Sequence, residues 1–191
     1  MKKSILIALL GVGTAVASYG QGVIIFGNYS SSSQLNGISY ASGPAAGLYC
    51  GPEISAILLY GASTSTSISQ LTAIGAPVAV GEGVASGPGP IGSYAGWFGG
   101  VARTIDASSP GTTYAFAIEA TGTYLGVTYL GYSPIAYGAT QAGGSVPPPA
   151  PNLPASLLNG SFTVSPVPEP TTLALAGLGG LALLLFRRKQ S

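Results

Sequence analysis

Thr113-Tyr114-Ala115-Phe116-Ala117-Ile118-Glu119-Ala120 is the stretch of this sequence that decides the fold. Tyr114, Phe116 and Ile118 alternate with small residues and Glu119, which is the two-residue period of a strand with one buried face. Thr121-Gly122-Thr123 then predicts a hairpin turn, and the stretch from Tyr124 to Tyr132 supplies the returning strand. The segment therefore predicts an antiparallel β-hairpin.

Short apolar runs bounded by glycine- and proline-rich turns recur on both sides of this hairpin. The predicted strands are Val23–Phe26, Ile54–Tyr60, Pro77–Val80, Trp97–Ile105, Thr113–Ala120, Tyr124–Tyr132 and Ser161–Val164. No segment between Gln21 and Val167 has a helical apolar period of useful length. We therefore predict a mainly β fold, an antiparallel β-sandwich of about seven or eight strands, with a partly closed barrel as the alternative.

The body of the chain is poor in charge. Between residues 21 and 167, Arg103 is the one basic residue against the four carboxylates Glu53, Glu82, Asp106 and Glu119, which leaves a formal charge of −3. Such a surface cannot neutralise a run of phosphates, so we expect no nucleic-acid partner. The chain has no histidine, which excludes Ser-His-Asp and Cys-His centres and histidine metal sites.

Few other residues are suited to catalysis. No spacing among the four carboxylates identifies a glycosidase pair, and Gly81-Glu82-Gly83 lacks the context of a dinucleotide-binding loop. Cys50 is the only cysteine, so no intramolecular disulfide can form, and we expect a buried, unreactive thiol. We therefore predict a protein that is not an enzyme, with no catalytic residue, no metal site and no cofactor.

Aromatic side chains offer one binding chemistry. Trp97, which Phe98 follows, and the eleven tyrosines can stack on sugar rings where they are exposed. The competing interpretation is that Trp97 and most of the tyrosines lie in the core. Trp97 is the candidate residue for glycan stacking, and extracellular polysaccharide is the partner that this chemistry suggests.

The first twenty residues have the pattern of a secretory signal peptide. A lysine pair precedes an apolar run from Ile5 to Val16. Ala15 and Ala17 satisfy the A-x-A pattern for cleavage after Ala17, and a cut after Gly20 also fits. The run is shorter than the ~20 residues that a bilayer requires, which favours a cleaved signal over a retained anchor. Signal peptidase and the general export machinery are the expected partners.

The tail has three parts. Pro168-Glu169-Pro170 comes first, an apolar stretch from Leu173 to Phe186 follows, and Arg187-Arg188-Lys189 comes next. No polar side chain interrupts the apolar stretch, which argues against a core helix of a soluble protein. A helix over Thr171–Phe186 would span about 24 Å, slightly less than the ~30 Å hydrocarbon core, and the basic residues can snorkel to the interface. We predict a C-terminal transmembrane helix whose basic end stays in the cytoplasm.

At these residues the chain resembles the PEP-CTERM family of exported bacterial proteins, whose tail is Pro-Glu-Pro, a hydrophobic helix and an arginine-rich end. The resemblance covers about Val164 to Ser191. It implies that Pro168, Glu169 and Pro170 form a sorting motif, and that Arg187, Arg188 and Lys189 form the basic stop. It also implies a partner, exosortase, an integral-membrane cysteine transpeptidase that removes or transfers the tail, often in bacteria that make extracellular polysaccharide.

These features divide the chain into a signal peptide (1–20), a β-sandwich-like exported domain (21–165) and a sorting tail (166–191), with Ser165-Pro166-Val167 as a stalk. The predicted function is that of a non-enzymatic surface or extracellular-matrix protein. Such a protein would pass through the inner membrane and reach the cell envelope, the outer surface or the medium. The alternative is a carbohydrate-binding or adhesion module with a permanent C-terminal membrane anchor.

Overall fold

Strands dominate the computed structural model, which describes residues 22–28, 37–81, 88–89, 95–105, 111–142, 153–158 and 161–168. The strands of these residues are β1 (Gly22–Phe26), β2 (Ile38–Tyr40), β3 (Ile54–Ala62), β4 (Thr72–Ala79), β5 (Val101–Ile105), β6 (Thr113–Tyr124), β7 (Val127–Tyr132), β8 (Ala136–Ala139), β9 (Gln141–Ala142) and β10 (Phe162–Pro166). A 3₁₀-helix (Ile68–Gln70) follows β3, and a single-turn helix, α1 (Ala155–Leu158), precedes β10.

The strands form two sheets. The larger sheet has the order β2-β10-β7-β6-β3-β4, with β8 beside β6, and the smaller has the order β5-β1-β9. Neighbouring strands are antiparallel except β2 and β10, which run parallel. Ile24 and Ile105 of the smaller sheet share one hydrophobic core with Leu58 and Ile118 of the larger. The prediction of a mainly β, mostly antiparallel fold is confirmed, although the described residues contain ten strands rather than seven or eight.

The predicted ends of the chain lie outside the described residues. They are the signal peptide at 1–20 and the apolar stretch Leu173–Phe186 with its basic stop. Within the described ranges, no helix is long and apolar enough to cross a membrane.

The predicted hairpin forms, but its turn was placed wrongly. Thr121-Gly122-Thr123 belongs to β6 and pairs with Leu130, Tyr129 and Thr128 of β7. The turn is Leu125-Gly126, where φ is +49° and +77°, and two positive φ values are the signature of a type I′ hairpin.

Gly122 is required for close backbone packing, because a Cβ added there would lie 2.1 Å from the carbonyl oxygen of Glu53. Local sequence does not separate this use of glycine from a turn.

The predicted half-buried character of β6 was also wrong. Phe116 and Ile118 face the core as expected, but Ala115 and Ala117 on the other face are equally inaccessible. Leu59 of β3 pairs with Ala117, and Tyr137 of β8 pairs with Ala115. Since directly paired residues share a face of the sheet, these larger side chains flank the two alanines. A central position in the sheet, which local sequence does not reveal, therefore explains the burial of both faces.

Arg103 links the two sheets. It lies on β5, its Nη2 donates a hydrogen bond to the carbonyl of Ala76 on β4, and its guanidinium lies 5.6 Å from the centre of the Phe26 ring. A guanidinium over an aromatic face is attracted by the ring quadrupole. Gly75 provides the room, since an added Cβ there would lie 2.7 Å from Arg103 Cδ. The one basic residue of the body thus has a structural contact between sheets.

Candidate functional site

The junction between the folded domain and the tail is the first candidate site. Ser165 and Pro166 pair with Leu130 and Tyr129 of β7, and the Val167 N–H donates to the Thr128 carbonyl at 2.8 Å. The predicted stalk of Ser165-Pro166-Val167 is therefore wrong, because these residues are held by the larger sheet. Pro168, the first residue of the predicted sorting motif, follows immediately and is exposed.

Two prolines explain why the strand ends here. The carbonyl of Val164 accepts a hydrogen bond from the Ala41 N–H, which follows β2. Backbone polar groups of a strand point to the same edge at every second residue. Those of residues 166 and 168 therefore point to the same edge as those of Val164, toward the side of β2. Proline has no N–H to donate, and β2 has already ended at Tyr40. Pro166 and Pro168 therefore sacrifice no ladder hydrogen bond, and they stop the sheet from continuing into the tail.

The other predicted sorting and cleavage residues lie outside the described part of the chain. They are Glu169 and Pro170 of the motif, Arg187, Arg188 and Lys189 of the basic stop, and Ala15, Ala17 and Gly20 of the signal cleavage region. The described residues begin with β1 at Gly22, which is the middle strand of the smaller sheet. A cut after Ala17 or after Gly20 would leave this strand whole.

Trp97, the predicted glycan-stacking residue, does not present its ring to solvent. Its side chain is 8% exposed, and that of the neighbouring Phe98 is 1% exposed. The segment is held inward because the Phe98 N–H donates to Asn28 Oδ1 at 2.7 Å and the Gly81 N–H donates to the Trp97 carbonyl at 2.5 Å. The structure thus supports the core interpretation of Trp97, and stacking on a sugar would need other aromatic residues.

Two tyrosines of the larger sheet have side chains that are exposed enough to stack on a sugar. Tyr132 is 40% exposed and Tyr137 is 48% exposed. They pair with Glu119 and Ala115 of β6, so both lie on the face of the sheet opposite the core residue Phe116. Sequence reasoning could not choose these two among eleven tyrosines, because the pairing of β7 and β8 along one edge of β6 is a tertiary feature.

Glu119 adds a carboxylate to this outer face. It lies directly across from Tyr132, and burial raises the pKa of the Tyr132 hydroxyl, with further contributions from the negative charge of Glu119 and a hydrogen bond to it. The hydroxyl therefore stays protonated and can donate to the carboxylate. An exposed ring beside a hydrogen-bonding carboxylate is an arrangement that can hold a polar, ring-shaped ligand.

A second polar cluster lies inside the domain. The Tyr40 hydroxyl donates to Glu53 Oε1 at 2.5 Å, and the Gly51 N–H donates to the same oxygen at 2.9 Å. Burial, and secondarily the hydrogen bond to Glu53, raise the pKa of Tyr40. Burial, and secondarily the charge of Glu53, raise the pKa of the fully buried Cys50 thiol. A protonated, inaccessible thiol is a poor nucleophile, and the hydrogen bonds of Glu53 join Tyr40 to the backbone of Gly51.

The two described carboxylates are not arranged as a catalytic pair. Glu53 is hydrogen-bonded to Tyr40, whose ring is buried, whereas Glu119 lies on the outer face beside Tyr132. Within the described ranges, no three acidic, cysteine or histidine side chains converge to hold a metal ion. Glu82 and Asp106 lie outside these ranges.

Comparison with known proteins identifies the tail. Residues 166–189 match the family model described as the PEP-CTERM protein-sorting motif. The match begins at Pro166, the last residue of β10, and therefore covers the whole predicted motif and basic stop. No curated protein and no solved structure matches the chain. The motif implies an exported protein that is sorted to the cell envelope with exosortase-related processing.

Proposed function

We propose that this chain, sorted through its PEP-CTERM motif, is a non-enzymatic surface or extracellular-matrix protein. Signal peptidase removes residues up to Ala17 or Gly20, and the apolar tail holds the chain in the inner membrane. Exosortase then cuts near Pro168-Glu169-Pro170 and releases a weakly acidic β domain to the envelope, the outer surface or the medium.

The main support is the position of the motif relative to the fold. Among the described residues, the last whose backbone bonds to the larger sheet is Val167, and the Pro-Glu-Pro element begins at the next residue. A cut at or after Pro168 would remove no strand and no hydrogen bond of the described sheets. The domain would therefore leave the membrane folded, as a released envelope protein requires.

The chemistry of the described residues supports a non-enzymatic role. The buried Cys50 stays protonated, Glu53 is engaged by Tyr40 and Gly51, and Glu119 lies beside Tyr132 on the other face of the sheet. The chain has no histidine to act as a general base near neutral pH. These observations favour a protein that acts by its surface.

The test is the intact mass of the protein from the envelope and extracellular fractions of its native host. Wild type is compared with the triple variant Pro168→Ala/Glu169→Ala/Pro170→Ala, and a proline-matched control carries Pro147→Ala/Pro148→Ala/Pro149→Ala. We expect wild type and the control to lack the tail, and the motif variant to keep it and stay in the membrane. A tail retained in all three would contradict processing and indicate a permanent anchor.

A second candidate function is glycan binding through the outer face of the larger sheet. The supporting observation is that exposed Tyr132 and Tyr137 share this face with Glu119. Retention of wild type on extracellular polysaccharide should be lost with Tyr132→Ala and kept with Val101→Ala, since Val101 is a comparably exposed residue of the smaller sheet. Equal behaviour of the two variants, or no retention of wild type, would contradict glycan binding at this face.

A further inference from the structure

The chain leaves the domain at one end of the larger sheet, which we call the exit end. It consists of the turn 41–47 with Leu48, the hairpin tip Tyr124–Val127, and Val167-Pro168. β10 runs antiparallel to β7 and parallel to β2, so its C-terminal end lies beside the start of β7 and the end of β2. The hydrogen bond from Val167 to Thr128, one residue after the hairpin tip, fixes this neighbourhood.

The exit end concentrates exposed apolar side chains. Six large apolar side chains are exposed in the described part of the chain, and three of them lie here: Leu48 at 42%, Leu125 at 69% and Val167 at 40%. The residues that define the exit end include no charged side chain. The nearby Glu53 is hydrogen-bonded to Tyr40, whose ring lies in the core. This end of the domain is therefore unusually apolar and, up to Pro168, uncharged, and Glu169 of the motif is the next residue of the chain.

Leu125 is not explained by the needs of the turn. It is the one non-glycine residue with a positive φ among the described residues, at +49°. Type I′ turns favour asparagine, aspartate or glycine at this position because a leucine side chain is strained there. A large apolar residue that is strained by its backbone and mostly exposed to water has no folding rationale, and such positions are often functional.

The tail brings this end close to a membrane. Val167 is the last residue of the described ranges that is bonded to the sheet, and the apolar stretch begins at Leu173, six residues later. Six extended residues reach at most about 20 Å, whereas Thr113, at the far end of β6, lies roughly 37 Å along the strand from Tyr124. The exit end is therefore the part of the larger sheet that a membrane-held tail places nearest to the lipid.

We propose that the exit end contacts the outer surface of the lipid bilayer while the tail is attached, with Leu125 inserted among the lipid headgroups. This inference rests on the proposed function, because it requires the tail to be held in the membrane. The contact is apolar, and the nearest described cation, Arg103, is engaged between the two sheets. It should therefore form on neutral lipid and be insensitive to salt and to anionic lipid, unlike contacts made by basic patches.

The experiment uses the full chain with its tail, reconstituted in phosphatidylcholine vesicles. An environment-sensitive fluorophore is attached at Leu125→Cys, at a second exit-end position, Leu48→Cys, and at a far-end control, Thr113→Cys. The natural Cys50 is fully buried, and labelling of wild type measures its background. Vesicles are prepared with and without a spin-label quencher on the lipid chains, and each sample is floated on a density gradient.

We expect the lipid-borne quencher to remove about half of the emission at Leu125, as insertion to ~5–10 Å would allow, and to leave Thr113 unchanged. Floating protein with unquenched probes at Leu125 and Leu48 would overturn the contact and leave the membrane-held tail intact. If the probe at Leu125 is shielded from aqueous quenchers but is not reached by the lipid quencher, the exit end contacts protein and not lipid. This result would also overturn the proposed lipid contact. If the protein does not float with the vesicles, the tail is not held in the membrane, and the proposed contact between the exit end and the bilayer is refuted as well.

Discussion

Replacing Gly122 with asparagine tests the register of the larger sheet directly. Gly122 lies in β6 opposite Ile54, and an added Cβ would meet the Glu53 carbonyl oxygen at 2.1 Å and the Ile54 Cα at 2.9 Å. Ordinary contacts of a Cβ begin near 3.4 Å. The atoms that it meets are backbone atoms of the neighbouring segment, so they cannot rotate away. The backbones of β3 and β6 would have to separate at this point.

The expected loss of stability follows from this overlap. Overpacking costs about 1–3 kcal/mol when side chains and backbone can adjust, and a backbone clash of more than 1 Å belongs at the upper end. We therefore expect Gly122→Asn to lower the free energy of unfolding by about 3 kcal/mol. For a domain of about 150 residues this corresponds to a fall in Tm of roughly 6–12 °C.

The matched control is Gly126→Asn in the hairpin turn. Gly126 has φ +77° and no atom within 4 Å of an added Cβ, and asparagine tolerates this conformation in type I′ turns. We expect a loss below about 1 kcal/mol at this site. Urea unfolding of the tail-free domain, followed by tryptophan fluorescence of Trp97, measures both variants. If Gly122→Asn proved as mild as Gly126→Asn, the strand register would be wrong and residues 121–123 would be the turn.

Four further predictions concern side chains of the domain. Tyr40→Phe should destabilise by about 1–2 kcal/mol because Glu53 loses a buried donor, whereas Tyr129→Phe should be neutral or stabilising because its buried hydroxyl has no partner in the described residues. The pKa of Tyr40 is raised in the folded state, so above about pH 10 the tyrosine ionises in the unfolded chain but not in the folded one, and the free energy of unfolding of wild type falls. Urea titrations at several pH values should show a smaller fall for Tyr40→Phe. Arg103→Gln should lower stability by about 1–2 kcal/mol in the same assay through loss of its contacts between the sheets, and an unchanged midpoint would contradict that role. Leu125→Asn should raise Tm by a few degrees by relieving the strained turn, and a lower Tm would show that Leu125 is needed for the fold.

Much of the fold could be predicted from local patterns. The strands at Val23–Phe26 and Ile54–Tyr60, and the pairing of Thr113–Ala120 with the segment that follows it, rest on short-range periodicity, and all are present. The three-part order of the tail likewise depends only on neighbouring residues, and the match at residues 166–189 confirms it as a sorting motif.

Other features depend on tertiary context that local sequence does not contain. The turn lies at Leu125-Gly126 although leucine disfavours it, while Gly122, a typical turn residue, serves close packing inside a strand. The short strands β2 and β9 have too few residues for a recognisable pattern.

The candidate site was predicted in part. Pro168 lies exposed after the last strand, as a sorting motif requires, but the domain extends to Val167 instead of ending in a stalk. The exposed aromatic residues Tyr132 and Tyr137 could not be found from sequence. Their exposure depends on the register with which β7 and β8 pair with β6, since that register decides the face of the sheet on which each tyrosine lies. Trp97 was the most conspicuous aromatic residue of the sequence, and Asn28 and Gly81 hold its segment inward.

The insertion of β10 between β2 and β7 has a consequence for the timing of folding. β2 pairs with β10 across more than a hundred residues of chain, so the edge of the larger sheet that holds β2 cannot form until the last strand is present. In an exported chain this strand would emerge just before the apolar tail, so β2 would stay without its partner strand until nearly all of the domain had been translocated. Completion of this edge of the sheet would then coincide with the emergence of the sorting motif, which follows β10 directly.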